Sequence, residues 1–135
     1  MIYNIKELDW VKTAEKFLNT PYKWGGKSFF GIDCSGSVQF AILSKYHNAS
    51  RNSSQQELEL GKNLYTRKNS TTFNYENSLR RGDLIFWNRH VGIMLNKNDL
   101  IHANAYHVCV KKEKLINTIQ RLKKYGNEIT KINRM

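Results

Sequence analysis

The sequence predicts an α+β fold in which amino-terminal helices pack on an antiparallel β-sheet. Apolar residues recur at helical spacing in the first half, whereas the second half holds short apolar runs bounded by turn residues. Hydrophobic residues make up 40% of the chain and aromatic residues 12%, which is enough for a packed core. Without an internal repeat or linker, residues 1–135 are expected to form one domain.

The first half of the chain is expected to contain an amphipathic helix, a glycine-rich loop and a buried helix. Leu8, Val11, Ala14 and Phe17 predict the first helix over Lys6–Leu18, before Pro21. The loop is expected at Trp24 to Gly31, and the second helix at Cys34 to His47.

The remaining elements begin with a short third helix, for which Ser53 with Gln56, or Ser54 with Glu57, can form a capping box. Asn69 to Asn77 is an irregular polar stretch. Asn88-Arg89 is a plausible two-residue hairpin turn. Strands are expected at Leu84–Trp87, His90–Leu95, Leu100–Ala103 and Val108–Val110, and a last helix at Lys114–Tyr125 that ends at Gly126.

The charge and the cysteines narrow the class of protein. A net charge of +11 favours anionic partners, but the cations are scattered and are not interleaved with aromatic residues, so no nucleic-acid partner is expected. Cys34 and Cys109 form neither a disulfide framework nor a zinc motif, so no metal or cofactor is expected. The amino terminus lacks the apolar run of a signal peptide, and no stretch approaches the ~18 apolar residues of a membrane span, which predicts a cytoplasmic protein.

Cys34 is the candidate nucleophile. It follows the glycine-rich loop and opens the second predicted helix, where unpaired amide groups and the helix dipole are expected to lower its pKa. The amide of Cys34 can donate to an oxyanion, and Gly36 is expected to keep the approach open. Cys109, in a predicted strand between Val108 and Val110, is expected to be inert core.

Two histidines supply a base and its orienting group. His90 begins one predicted strand and His102 lies near the end of the next, 12 residues later, a separation that suits adjacent antiparallel strands. A thiol needs such a base, and the base needs a partner that fixes its tautomer. We therefore expect His90 to be the base and His102 to orient it, whereas His47 and His107 are expected to be structural.

Five segments together resemble the NlpC-type cell-wall peptidases. They are Pro21-Tyr22-Lys23-Trp24-Gly25-Gly26, Gly31-Ile32-Asp33-Cys34-Ser35-Gly36, Arg81-Gly82-Asp83-Leu84-Ile85-Phe86-Trp87, His90-Val91-Gly92-Ile93 and Ile101-His102-Ala103. The resemblance runs from about Thr20 to Val110 and implies a papain-like fold with a Cys-His-His triad. It implies hydrolysis of peptidoglycan stem peptides or muropeptides, through a thioacyl intermediate, at the bond between γ-D-glutamate and a diamino acid.

The resemblance also implies roles for residues near the triad. Tyr22 matches a tyrosine near the oxyanion position, and Trp24 matches an aromatic residue of the substrate cleft. Asp33 and Ser35 match positions that bind the free amine of an amino-terminal L-alanine in some members. Two alternatives stay open: an endolysin or amidase that reaches the intact wall by lysis or a holin-type route, and an inactive basic binding module.

Overall fold

A computed structural model of the protein describes residues 9–46, 48–67 and 78–135. Within these ranges the helices are α1 (Val11–Glu15), α2 (Cys34–Leu43), α3 (Ser53–Glu59) and α4 (Leu115–Lys123). The strands are β1 (Lys27–Ser28), β2 (Gly31–Ile32), β3 (Lys62–Thr66), β4 (Leu84–Trp87), β5 (His90–Met94), β6 (Asp99–Asn104), β7 (Cys109–Lys114) and β8 (Ile129–Arg134). The predicted α+β class is confirmed.

Six strands form one antiparallel sheet in the order β3-β8-β4-β5-β6-β7, and β1 pairs with β2 in a small separate hairpin. Alternate residues of the sheet enter two different clusters of buried residues, as the period of two in a strand requires. One cluster packs the sheet against α1 and α2; its sheet members include Phe86, Val91, Ile93, Ile101 and Ala103. The other lies on the opposite face with Leu115 of α4; it includes Ile85, Trp87, Met94, Leu100 and Ile132.

Several elements match the sequence prediction closely. The strand at Leu84–Trp87 is confirmed, and its hairpin pairs Trp87 with His90 across Asn88-Arg89. Arg89 takes a φ of 61°, which supplies the turn without a glycine. Gly126 follows the last helix with a φ of 75°, the left-handed conformation typical of a helix stop.

The first and third helices differ from the prediction. Helix α1 ends at Glu15 because the chain turns and then takes a φ of 68° at Asn19; the predicted start at Lys6 lies outside the described residues, as do His47 and Asn69 to Asn77. Neither predicted capping box forms. The side chain of Asn52 caps α3 by accepting from the amide of Gln55 at 3.1 Å.

Strands β3 and β8 were not predicted from the sequence. Strand β8 lies between β3 and β4, so a segment near the carboxyl terminus becomes an interior strand of the sheet. Its sequence, Ile-Thr-Lys-Ile-Asn-Arg, mixes apolar and charged residues without a strict period of two, and a bulge shifts its pairing with β4. This irregularity hides the strand from a search for alternating hydrophobicity.

Gly92 allows β5 and β6 to approach closely beside the histidines. A Cβ atom at this position would lie 2.6 Å from Cδ1 of Leu100 and 3.3 Å from Cβ of His102. The first distance is below any normal contact, so a methyl group here would displace the side chains of β6. The absence of a side chain at Gly92 therefore lets β5 and β6 pack closely together.

We predict that Gly92→Ala lowers the free energy of unfolding by about 1–3 kcal/mol, through overpacking against Leu100. Urea unfolding should be measured for Gly92→Ala in the wild-type and in the Leu100→Ala backgrounds. The added methyl group should cost less where Leu100 has been truncated. An equal cost in both backgrounds would show that the overlap with Leu100 is not the cause.

Candidate active site

Cys34 is the first residue of α2, as the sequence predicts, and Asp33 is the N-cap. Asp33 has extended backbone geometry, and its Oδ1 accepts a hydrogen bond from the amide of Gly36 at 2.7 Å. Cys34 keeps part of its surface exposed, whereas the next three residues of the helix are buried. The helix therefore anchors itself in the core and presents the thiol at its exposed end.

The thiol lies against the backbone on both sides of His90. Sγ lies 4.0 Å from the carbonyl oxygen of Arg89, and the amide of Val91 is near enough to favour the thiolate and so to act against the raised pKa of the thiol. The paired residues of β5 and β6 are Ile93 with Ile101 and Met94 with Leu100. Cys34 thus lies against residues of β5 that are not paired with β6.

His90 and His102 are joined by a hydrogen bond. Nε2 of His90 lies 2.6 Å from Nδ1 of His102, and the two residues come from the adjacent strands β5 and β6. His102 is 1% exposed, while His90 keeps part of its surface. Because Nε2 of His90 is engaged, Nδ1 is the nitrogen that remains to accept a proton from a neighbouring thiol.

Burial keeps the thiol and the imidazole neutral. Burial raises the pKa of Cys34 to about 11; the amide of Val91 opposes this shift and the charge of Asp33 adds to it. Burial, with the nearby His102 and the charge of Arg121, lowers the pKa of His90 to about 3. The expected lowering of the Cys34 pKa is therefore wrong, because desolvation outweighs the helix amides.

Asp33 and Ser35 belong to a buried cluster with Arg51. Both guanidinium nitrogens of Arg51 pair with the Asp33 carboxylate, at 2.9 and 3.0 Å, and Nη1 also donates to Oγ of Ser35 at 3.0 Å. The carboxylate further accepts from the Gly25 amide, the Gly36 amide and the Ser35 hydroxyl. Five donors fill the roughly four lone-pair directions of a carboxylate. Amine binding by Asp33 and Ser35 stays a prediction, and an ammonium would have to share Asp33 with Arg51.

The absence of a side chain at Gly36 serves this cluster; its expected role in keeping the approach to the thiol open stays a prediction. A Cβ atom at Gly36 would lie 2.7 Å from the Gly26 carbonyl oxygen and 2.9 Å from Oδ1 of Asp33. The missing side chain therefore lets the glycine-rich loop pack on the start of α2. The loop is also tied to Asp33 by the hydrogen bond from the Asp33 amide to Gly26 at 3.0 Å.

Tyr22 and Trp24 occupy different surroundings in the loop. Tyr22 is partly buried, and burial raises its pKa; the Cys34 thiol, once ionised at high pH, and the Asp33 carboxylate add to this shift. Its amide is held by the carbonyl of Val108 at 2.9 Å. Trp24 is 84% exposed, which leaves its ring accessible to a ligand. Their roles in substrate binding stay predictions.

Cys109 is not a core residue, which corrects the sequence prediction. It is partly exposed at the start of β7, and Val108 is 64% exposed with a φ of 59°. Only Val110 of this predicted strand enters the core. The strand begins late because the left-handed residue ends the preceding turn.

Among residues 9–46, 48–67 and 78–135, no three His, Cys, Asp or Glu side chains are grouped so that they could hold a metal ion. In the same part of the chain, none of the helices has the length and apolarity needed to cross a membrane.

Comparison with known proteins identifies the family. The model of the NlpC/P60 family matches residues 19–125, which contain the cysteine and both histidines. The chain belongs to the NlpC/P60 family. Several relatives in this family are named as endopeptidases of murein or peptidoglycan.

Two relatives illustrate the similarity to known peptidases. The murein DD-endopeptidase/LD-carboxypeptidase MepS of Escherichia coli K12 is 34% identical over 89 residues, 62% of this chain and 42% of that protein. The gamma-D-glutamyl-L-lysine dipeptidyl-peptidase of Bacillus cereus is 30% identical over 103 residues, 70% of this chain and 28% of that protein. The chain thus spans less than half the length of either relative.

A solved structure confirms the fold. The crystal structure of an NlpC/P60 family protein from Bacillus cereus superimposes with a TM-score of 0.73 at 27% identity. The match covers 93% of this chain and 39% of that one.

The raised pKa of Cys34 predicts a characteristic alkylation profile. In a Cys109→Ala variant, iodoacetamide should react with Cys34 slowly at pH 7 and faster as the pH rises toward about 11, since only the thiolate is nucleophilic. Peptide mapping by mass spectrometry measures the rate at each pH. A rate that is already maximal at pH 6–7 would mean that the resting thiol is ionised.

Proposed function

We propose that the protein is a cysteine peptidase that hydrolyses peptidoglycan stem peptides at the bond between γ-D-glutamate and a diamino acid. The observation that carries the proposal is the arrangement of three side chains. The Cys34 thiol contacts the backbone on both sides of His90, and Nε2 of His90 is held by His102 at 2.6 Å. A nucleophile, a base and an orienting group in this order can perform acyl transfer.

Cys34 and His90 are both neutral before the reaction, so the thiol is activated only during it. Nδ1 of His90 takes the proton as Sγ attacks the scissile carbonyl carbon, so that thiolate forms during the attack and not before it. The oxygen becomes an oxyanion, toward which the amide of Cys34 can donate, because amides in a first helical turn lack intrahelical acceptors.

Collapse of this intermediate breaks the carbon–nitrogen bond. His90 returns its proton to the leaving amine, and the acyl group remains on Sγ as a thioester. Water then attacks the thioester while His90 takes one of its protons, and the thiol is restored when that proton passes to sulfur. The cycle therefore consumes one water molecule and needs no metal, cofactor or external proton.

The choice of bond is supported by one of the two relatives described above. The Bacillus cereus relative is named for the bond between γ-D-glutamate and L-lysine, a diamino acid. The five matched segments near Cys34, His90 and His102 imply the same class of bond. The net charge of +11 also favours the alternative of an enzyme that acts on the intact, anionic wall.

The proposed triad predicts a graded loss of activity. Cys34→Ala and His90→Ala should each lower kcat by orders of magnitude, because the two groups act as a unit. His102→Ala should be severe but leave more activity, since it only orients the ring of His90. Release of the diamino acid from a stem peptide gives the rates, with Cys109→Ala as the matched control that retains normal turnover. Full activity of Cys34→Ala would exclude the thiol mechanism.

A second prediction concerns whether the enzyme prefers a muropeptide whose amino terminus is free over one whose amino terminus is acetylated. If Asp33 pairs with Arg51 alone and does not bind the amine, L-Ala-γ-D-Glu-diaminopimelate and its N-acetylated form should be cut at rates within about threefold of each other. A charge-assisted hydrogen bond of about 1.5–3 kcal/mol to the amine would instead favour the free form by about 10- to 160-fold. Such a preference would support the amine-binding role of Asp33.

The same enzyme should be tested on purified sacculi. Under the proposal the soluble peptides are cut at γ-D-glutamate, and the turbidity of sacculi falls slowly. Rapid clearing with little hydrolysis of the soluble peptides would support the wall-lytic alternative.

A further inference from the structure

A carboxylate contacts His102 on the side of its ring opposite His90. Oε1 of Glu113, on β7, is 2.6 Å from Nε2 of His102, the ring nitrogen that does not face His90. In the pairing of β6 with β7, Glu113 lies opposite Leu100, so it is the diagonal neighbour of His102 on the same face of the sheet. Glu113 and His102 are brought together by β-sheet register, 11 residues apart in sequence.

Arg121 of α4 holds this carboxylate in place. Its Nη2 donates to Oε1 of Glu113 at 2.6 Å and its Nη1 donates to Oε2 at 2.9 Å, a bidentate ion pair. Burial by itself would raise the pKa of Glu113, but the hydrogen bonds from Arg121 and His102 outweigh it and hold the pKa well below its usual range. Glu113 is therefore ionised and can only accept hydrogen bonds.

The position of one proton follows from this charge. Burial lowers the pKa of His102, so its ring is neutral and carries a single proton. A contact of 2.6 Å between Nε2 and a carboxylate oxygen needs that proton on Nε2. Nδ2 of Asn104 also lies 3.1 Å from Nε2; an amide nitrogen only donates, so it would bond to an unprotonated Nε2, but the shorter contact to the charged carboxylate outweighs it and places the proton on Nε2.

The proton on Nε2 of His102 also determines the tautomer of His90. With its proton on Nε2, His102 presents the lone pair of Nδ1, which accepts from Nε2 of His90 at 2.6 Å. His90 is neutral as well, so its Nδ1 is left without a proton.

We propose that Glu113 is a positioning residue that fixes the tautomers of His102 and His90 so that Nδ1 of His90 is free to accept the proton of Cys34. The inference rests on the proposed function, in which Cys34 and His90 are nucleophile and base. Glu113 touches neither the substrate nor the thiol and acts through two rings. Without an obligate acceptor at this place, either histidine could hold its proton on the other nitrogen.

Charges from several elements act on the two rings. His102 faces Glu113 of β7, Arg121 of α4 and His107 of the turn between β6 and β7, and His90 faces His102 and lies near Cys34 of α2. Glu113 raises the pKa of both histidines, whereas Arg121 lowers it. Loss of Arg121 should therefore raise the pKa of His90, and loss of Glu113 should not.

Two substitutions test the role, because they break the same ion pair with neutral side chains. Glu113→Gln removes the obligate acceptor; Arg121→Gln leaves it. On a stem peptide, Glu113→Gln should lower kcat by about 10- to 100-fold and leave KM within about threefold. The loss in kcat is part of the rate enhancement of about 10²–10⁴-fold that a general base contributes. Arg121→Gln should lose less than fivefold in kcat and move the acid limb of kcat/KM to higher pH. Equal losses and identical pH profiles would mean a merely structural ion pair.

A second measurement does not need activity. Long-range ¹H–¹⁵N spectra of histidine-labelled Cys34→Ala protein report which ring nitrogen carries the proton. We expect Nε2–H on His90 and His102, unchanged in Arg121→Gln and in Glu113→Asp, which keeps the carboxylate, but mixed tautomers in Glu113→Gln. Unchanged tautomers in Glu113→Gln would overturn the inference even if Cys34 and His90 prove essential. Conversely, turnover by Cys34→Ala would refute the proposed function and leave the tautomer result standing.

Discussion

The carboxylate of Asp33 is the interaction on which the site depends. It caps α2, so it determines where the helix starts and where Cys34 emerges. It also accepts from the Gly25 amide of the preceding loop and from Arg51 of the segment before α3. Three segments that are distant in sequence thus meet at one buried charge. A buried carboxylate is stable only when it is fully hydrogen-bonded and paired, and this requirement holds the three segments together.

The same need to satisfy a buried charge recurs on the other side of the sheet. Glu113 is clamped by Arg121 and bonded to His102, as Asp33 is clamped by Arg51. One ion pair positions the thiol and the other positions the histidines. Burial keeps Cys34 and His90 neutral between these pairs; in the proposed mechanism the thiolate then forms only as the substrate carbonyl is attacked. This arrangement protects the thiol from reacting with other electrophiles at neutral pH.

The sequence alone predicted much of the framework. Strong local signals marked the buried strands β4 and β5, the start of α2 at Cys34 and the stop at Gly126, because each depends on neighbours within a few residues. Strand β8 escaped because its apolar residues are too few and its pairing with β4 contains a bulge. The predicted capping boxes of α3 do not form because the side chain of Asn52 caps the helix instead.

For the site, residue types and order were enough to propose Cys34, His90 and His102 as a nucleophile, a base and an orienting group. Sequence could not show that burial raises the pKa of Cys34 to about 11, since desolvation depends on everything packed around the sulfur. Nor could it show that Glu113 stands behind His102, because that contact is set by strand register. The sequence by itself determined which groups are available for chemistry; the tertiary structure decided their protonation and their partners, because those depend on residues brought close only by folding.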